Sequence, residues 1–312
     1  MMPAFQILRI GEIAHDLLIP GQNGKVLAVF SQSAYLVTGQ EELVYLTSAE
    51  APMHPRSLQL SGAFPRLMVG SLFSVNDSHL HIEPSFTLDL HQALLWRADQ
   101  VSTADVEEII DIPAKVKAIF TSLDYSKVKG FGRLIPHILL LVEGGPTSLQ
   151  PATTDPILSL AWPAIQDIAR ACLTHHQAEI LQKAGSLVGL GEGLTPSGDD
   201  FLGGMLYCIH HLKTIYPFLT VPPNQGAFIE GVKQRTNLIS YSLLKDNALG
   251  HALEPLVLLL AAILTARPSE DVYRSISHLT STGHSTGWDL LTGAFTGLLM
   301  TFHVAFVSDK IA

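Results

Sequence analysis

The stretch Lys25–Ser48, KVLAVFSQSAYLVTGQEELVYLTS, decides the first half of the fold. It holds three runs of β-branched, aromatic and aliphatic residues, KVLAVFS (25–31), SAYLVT (33–38) and ELVYLTS (42–48), separated by a few turn residues. Each run is long enough for a strand and too short for a helix. The same texture continues through RSLQLS (56–61), RLMVGSLFSV (66–75) and HLHIE (79–83), giving six candidate strands by about Leu95. Gly21-Gln22-Asn23-Gly24 can supply the positive φ of a tight turn, and Val75-Asn76-Asp77-Ser78 sits between two alternating runs as a hairpin loop. No segment of helical period separates these strands, which points to antiparallel pairing in a small barrel or sandwich.

After about Ser102 the period changes to apolar residues three and four apart, broken by Pro and Gly. This pattern predicts helices over Asp105–Ser122, one or two within Asp155–Leu187, and then Asp199–Leu212, Asn224–Leu249, 252–266, Pro268–Leu279 and Gly287–Val304. Pro163 marks a start or kink, and LIPHILLLV (134–142) fits strand or helix. The expected class is α+β: an N-terminal antiparallel β barrel or sandwich over residues 1–100, then a mainly helical domain over 101–312, with the boundary near 97–104.

Composition narrows the function. The 312 residues are only 15% charged and 47% hydrophobic, with 19 basic against 28 acidic side chains. A chain of this size buries roughly three-quarters of its unfolded surface, so disorder is excluded. A net charge of −9 argues against nucleic acid or an anionic membrane as the main partner. The most apolar window, PLVLLLAAILTA (255–266), is short of the roughly 20 residues that cross a bilayer and reads as a buried helix. Glu12 and Asp16 interrupt the place where a secretory signal would be apolar, and two lone cysteines, Cys172 and Cys208, make no disulfide framework. A cytoplasmic protein is expected.

The most unusual segment is GLGEGLTPSGDDFLGG, residues 189–204. It lacks the preceding strand and the glycine at 194 of a dinucleotide fingerprint, and where a P-loop carries lysine it has Asp199. It specifies instead a helix start, with Ser197 as N-cap and Asp199 and Asp200 at the positive end of the dipole. Asp200 shares a face with Gly203 and Gly204, so no side chain of its own helix fills the space beside it.

This segment resembles the signature of the AllH-type subunit family of oxamate carbamoyltransferase, as do Thr236-Asn-Leu-Ile-Ser240 and Gly283-His-Ser-Thr-Gly-Trp-Asp289. The three motifs span roughly 189–293; the β half is similar only in general character. The resemblance implies a transferase subunit of allantoin and purine catabolism that handles oxamate or oxalurate with carbamoyl phosphate. It also implies other subunits, or further copies of the chain, as partners.

An internal echo is visible without the family. Ser197-Gly-Asp-Asp-Phe-Leu-Gly-Gly204 aligns without gaps on Thr286-Gly-Trp-Asp-Leu-Leu-Thr-Gly293, at a constant offset from Ser197 to Thr286. Each copy has a hydroxyl cap, a carboxylate three residues on, and small residues beyond. One reading is close helix packing through the small faces. The other is that both helix starts face one cleft and bind a small anionic substrate. The cleft reading assigns catalysis to Asp199, Asp200, Asp289 and His284. It assigns ligand binding to Thr195, Ser197, Gly198, Arg235, Thr236, Ser240, Ser285, Thr286 and Gly287.

Thr236, Ser240, Asn247 and His251 are spaced as one polar helix stripe, which suits either a site wall or a solvent face. Arg235 is the first choice of anion clamp and Arg56 the second. No cofactor is indicated with certainty; the carboxylates suit a divalent cation, and the residues leave a metal undecided. Among 14 histidines, the adjacent pairs His175-His176 and His210-His211 diverge on a helix and cannot chelate locally. His79 and His81 share a strand face but lack an evident third ligand. No G-x-S-x-G elbow occurs, so serine hydrolase chemistry is not supported.

Overall fold

The computed structural model describes residues 5–84, 86–98, 101, 106, 112–143, 145, 150–174, 176–219, 221–265 and 268–308, without the side chains of residues 300 and 302–308. Two compact units are formed, 1–99 and 100–312.

The first unit is one nine-stranded curled sheet. Its elements are β1 (Ile7–Gly11), a short helix α1 (Glu12–Leu17), β2 (Asn23–Val29), β3 (Ser33–Thr38), β4 (Leu43–Ser48) and β5 (Ser57–Leu60). They are followed by β6 (Leu72–Asn76), β7 (His79–Ile82), β8 (Phe86–Asp89) and β9 (Leu94–Trp96). The strand order is β8-β7-β6-β2-β3-β4-β5-β1-β9. All six strand runs of the sequence contain strands, though RLMVGSLFSV is one only in its second half. There Gly70 at φ +89 and the Ser71-to-Met68 turn hold the chain before β6 begins. The hairpin at 75–78 forms with Asn76 paired to His79 and Asp77 at φ +50. Alternation places Leu80 and Ile82 of β7 in the core and leaves His79 exposed.

Two pairings differ from the all-antiparallel expectation. β4 runs parallel to β5, and β1 parallel to β9. Period alone does not report which neighbour a strand selects, and β1, β8 and β9 lie where the sequence shows no strong alternation. α1 caps the sheet from its start, its Ala14 amide donating to the Pro55 carbonyl at 3.0 Å.

The second unit is helical: α2 (Ile112–Thr121), α3 (Ile135–Val142), α4 (Pro156–Leu173), α5 (Gln177–Ala184), α6 (Ser197–Ile215), α7 (Gln225–Val232), α8 (Leu238–Ala248), α9 (Glu254–Leu264), α10 (Ser269–Thr280) and α11 (Thr286–Ser308). A 3₁₀ turn, Gly130–Leu134, precedes α3. The ambiguous segment 134–142 is therefore helix, with Pro136 in its first turn where a missing amide costs nothing. Pro163 lies inside α4, which starts at its Asp155 cap. The expected helix Asn224–Leu249 is two helices, because Asn237 caps α8 by accepting from the Ile239 and Ser240 amides. For the predicted helix at 105–122, residues 105 and 107–111 lie outside the described residues, and α2 covers its second part.

α6 and α11 form the most extensive helix pair of this unit. A Cβ on Gly204 would strike the carbonyl oxygen of Leu290 and the amide of Ala294 at 2.9 Å. A Cβ on Gly293 would strike the carbonyl oxygen of Phe201 and the amide of Met205 at 3.0 Å. The two contacts are images of each other under the sequence echo, so α6 and α11 cross with local pseudo-twofold symmetry. Thr292 and Thr296, buried on α11, satisfy their hydroxyls by donating to the carbonyls of Trp288 and Thr292, both at 2.7 Å. Glycine is required at this crossing because backbone meets backbone.

Gly204→Ala or Gly293→Ala should each lower unfolding free energy by about 3 kcal/mol, the cost of overpacking a rigid contact. Gly226→Ala on α7, where an added Cβ meets open space, should leave stability unchanged or raise it slightly. Urea unfolding followed by circular dichroism measures all three.

Candidate functional site

The glycine-rich turn 189–196 folds back on the start of α6. Gly191 at φ +125 is pressed against the Ser197 amide, a backbone state that side chains rarely adopt. The N-cap of α6 is Pro196 rather than the expected Ser197, and the Pro196 carbonyl accepts from the Asp199 and Asp200 amides at 2.9 and 3.1 Å. Ser197, freed from capping, is the first helical residue.

The adjacent aspartates have different surroundings. Asp199 is buried and fully engaged. Its Oδ1 accepts from the Gly189 amide at 2.8 Å, and its Oδ2 accepts from the Thr236 hydroxyl at 2.5 Å and the Ser240 hydroxyl at 2.7 Å. It ties the glycine turn to α8, and the first two members of the polar stripe serve that tie. The third, Asn247, packs against Gly203 instead. The space beside Asp200 that Gly203 and Gly204 leave on their own helix is thus filled by Asn247, Leu290 and Ala294 from neighbouring helices.

Asp200 and Asp289 are only 6% and 0% exposed, and the Oδ2 of each has no hydrogen-bond partner. They come from equivalent positions of the echo, on α6 and α11. The two helix starts meet: the hydroxyls of Thr195 and Thr286 share a hydrogen bond of 3.0 Å. Asp289 Oδ1 accepts from the Phe131 amide at 2.6 Å. That amide is delivered by Gly130 at φ +50, where any Cβ would fall on Asp289 Oδ1 and press Ser285.

Burial holds both carboxyls above the usual aspartate range. For Asp200 the shift is large; the charge of Asp289 adds to burial, and the hydroxyls of Thr286 and Thr195 oppose it. For Asp289 burial outweighs the Phe131 amide and the hydroxyls of Ser197 and Ser285, and the result is about 6. A hydroxyl from the partner helix thus stands near each carboxyl, Thr286 by Asp200 and Ser197 by Asp289, without making a hydrogen bond to either Oδ2. The half-buried hydroxyls of Thr195 and Thr286 stand beside Asp200, and those of Ser197 and Ser285 beside Asp289.

Other candidates lie differently. His284 is exposed in the turn before α11. Gly198 and Gly287 allow close approach to the carbonyls of Leu187 and Leu279. The amides of Gly198 and Gly287 already donate to Leu190 and Thr282, and that of Asp289 to Ser285. These helix starts therefore offer few free amides; what they present is side chains. Arg235 is exposed and its Nη2 donates to the Gly185 carbonyl at 2.7 Å. Arg56 is buried in the β unit, 2.7 Å from Glu42. Gly130 and Phe131 were not foreseen from sequence; the only trace is two glycines around Phe131 in a helix-poor stretch.

Among the described residues no group of three or more His, Cys, Asp or Glu side chains is arranged to hold a metal ion. His79 and His81 stack with ring centroids 6.0 Å apart. His210 and His211 stand 5.3 Å apart at an interplanar angle of 73°, beside Gly250; His175 lies outside the described residues. Both cysteines are buried and free, and burial pushes the Cys172 thiol up to about 12. No helix among the described residues is long and apolar enough to cross a membrane.

Residues 187–298 match the family model described as oxamate carbamoyltransferase subunit AllH, and residues 6–95 match the AllH family N-terminal domain. Neither a curated protein nor a solved structure matches the chain.

An aspartate held above its unfolded value stabilises the fold at low pH, and that contribution is lost as pH rises through the folded value. Unfolded aspartate titrates near 3.9, so with Asp289 at about 6 the loss falls between pH 4 and 7. Asp289→Asn should therefore gain on the wild type by about 2 kcal/mol between pH 4.5 and pH 7.5, read from urea unfolding at those two pH values. Gly130→Ala should displace the Phe131 amide from Asp289 and lower stability at both pH values.

Proposed function

Because the chain belongs to the AllH family of oxamate carbamoyltransferase subunits, we propose that it works in purine (allantoin) catabolism, handling oxamate or oxalurate with carbamoyl phosphate. The observation that carries the site is the pair of buried, unpartnered carboxyl oxygens where two helix starts meet. A buried polar atom without a partner costs about 1–3 kcal/mol, and a ligand that satisfies it recovers that cost. The small anionic ligand lies over Asp200 and Asp289, ringed by Thr195, Ser197, Ser285 and Thr286. Its acidic end is favoured by the two positive helix ends and the hydroxyls.

Carbamoyl transfer joins the oxamate amide nitrogen to the carbamoyl carbon, releases phosphate and requires the nitrogen to lose a proton. Asp289, whose carboxyl titrates at about 6, suits the base that accepts it near neutral pH. Asp199 is a positioning residue, since its oxygens are taken by Gly189, Thr236 and Ser240.

No salt bridge among the described residues involves Asp200 or Asp289, and Arg235 is turned onto Gly185. Holding the phosphate of carbamoyl phosphate calls for cations, which favours a site completed by another subunit of the transferase or by a further copy of the chain. In the alternative reading the chain is a structural or regulatory subunit that does no chemistry. Two free thiols inside the fold suit the cytoplasm.

In the enzyme reconstituted with its partner subunits, Asp200→Ala and Asp289→Ala should each lower oxamate-dependent carbamoyl transfer at least a hundredfold, with the fold checked by circular dichroism. Unchanged transfer by both variants would exclude this site. Full transfer by the purified chain alone would exclude dependence on partners.

A further inference from the structure

The two carboxyls of the site stand in unequal surroundings despite their equivalent places in the echo. Asp289 has one oxygen fixed by the Phe131 amide at 2.6 Å, so its other oxygen is the one left to face a ligand. Asp200 has Asp289 and Asp199 as charged neighbours, both of the same sign, and Thr195 and Thr286 as hydroxyl neighbours. Two like charges in a buried site without a cation do not both ionise. The proton belongs on Asp200, which has two negative neighbours, and the charge on Asp289, which has a backbone donor.

Resting on the reading that the ligand sits at these helix starts, we propose that Asp200 and Asp289 form a clamp for a primary amide. Asp289 Oδ2 accepts an amide N–H, and the neutral Asp200 carboxyl donates to the amide oxygen. The direction of both titrations agrees, with Asp200 well above the usual range and Asp289 at about 6. An acid beside a carboxylate is one donor and one acceptor, the complement of O=C–NH₂. A carboxylate ligand has no N–H, so against Asp289 it would set acceptor against acceptor. The clamp therefore selects the amide end of an acid amide over the corresponding diacid.

The geometry also predicts a reversal. In Asp289→Asn the Phe131 amide requires the side-chain carbonyl at the Oδ1 position, which turns the NH₂ toward the ligand. A donor would then stand where the acceptor stood, and the variant would favour a carboxylate over an amide. In Asp200→Asn a neutral donor remains available, so selection is kept.

Calorimetric titration of the full chain at pH 7 with oxamate and with oxalate tests this. Wild type should bind oxamate at least tenfold tighter than oxalate. Asp200→Asn should keep that ratio within threefold, and Asp289→Asn should bring it to one or below. Equal affinity of the wild type for both acids, or an unchanged ratio in Asp289→Asn, would overturn the clamp while leaving the location intact, provided Asp289→Ala still abolished binding. Oxamate affinity indifferent to every one of these substitutions would overturn the location as well. Loss of oxamate binding on adding EDTA would identify a cation bridge and overturn the clamp. Should Asp289→Asn fail to fold, the wild-type ratio decides alone.

Discussion

The backbone-to-backbone crossing of α6 and α11 is the constraint on which the helical unit depends. Helices usually pack 8–10 Å apart, with side chains between their axes. Here Gly204 sits on Leu290 and Gly293 sits on Phe201, so the separation is set by main-chain atoms. Equal spacing from these contacts back to each helix start places Asp200 by the Thr286 hydroxyl of α11 and Asp289 by the Ser197 hydroxyl of α6, while Thr195, from the turn before α6, bonds Thr286. Close packing, the first reading of the sequence echo, is what the glycines make, and the packing brings the two starts together; the cleft reading belongs to the proposed function.

Around this pair the other elements supply support. α8 contributes Thr236 and Ser240 to Asp199, and Asn247 to the surface of Gly203. The turn before α3 contributes one amide, from Phe131, to Asp289. In a chain with only 15% charged residues, buried acids without cationic partners stand out sharply. The fold holds them without a cation: burial raises both carboxyls, and Asp289 keeps the Phe131 amide as a donor.

Much of this was legible in the sequence, for physical reasons. The change of period near residue 100 reports burial on one face of a strand or helix, so both the β half and the helical half could be read. Asp200 and Asp289 stood out because glycine, hydroxyl and carboxylate recur at fixed spacing. What stayed hidden depends on long-range contact. Which strand lies beside β5 or β1 is not written in either strand's alternation. The role of Asn237 as a cap looked like an ordinary polar position within a longer helix. Arg235 looked like an anion clamp, but its nearest acceptor is the Gly185 carbonyl, fifty residues away in sequence. Gly130 owes its meaning to Asp289, more than a hundred and fifty residues further on.

The glycine contacts also govern motion. Where main chain rests on main chain, neither helix can slide or rotate by the fraction of an ångström that a cushion of side chains would allow. Asp199, held at both oxygens, adds a brace that fixes the glycine turn to α8. Asp200 and Asp289 therefore stand on two helix starts whose spacing is set by main-chain contact, and the proposed ligand would meet groups already in place. Gly193 and Gly283, both at positive φ, lie in the exposed turns that precede the two helices. On the proposed function, recognition would fall to the two helix starts and access to the two turns that precede them.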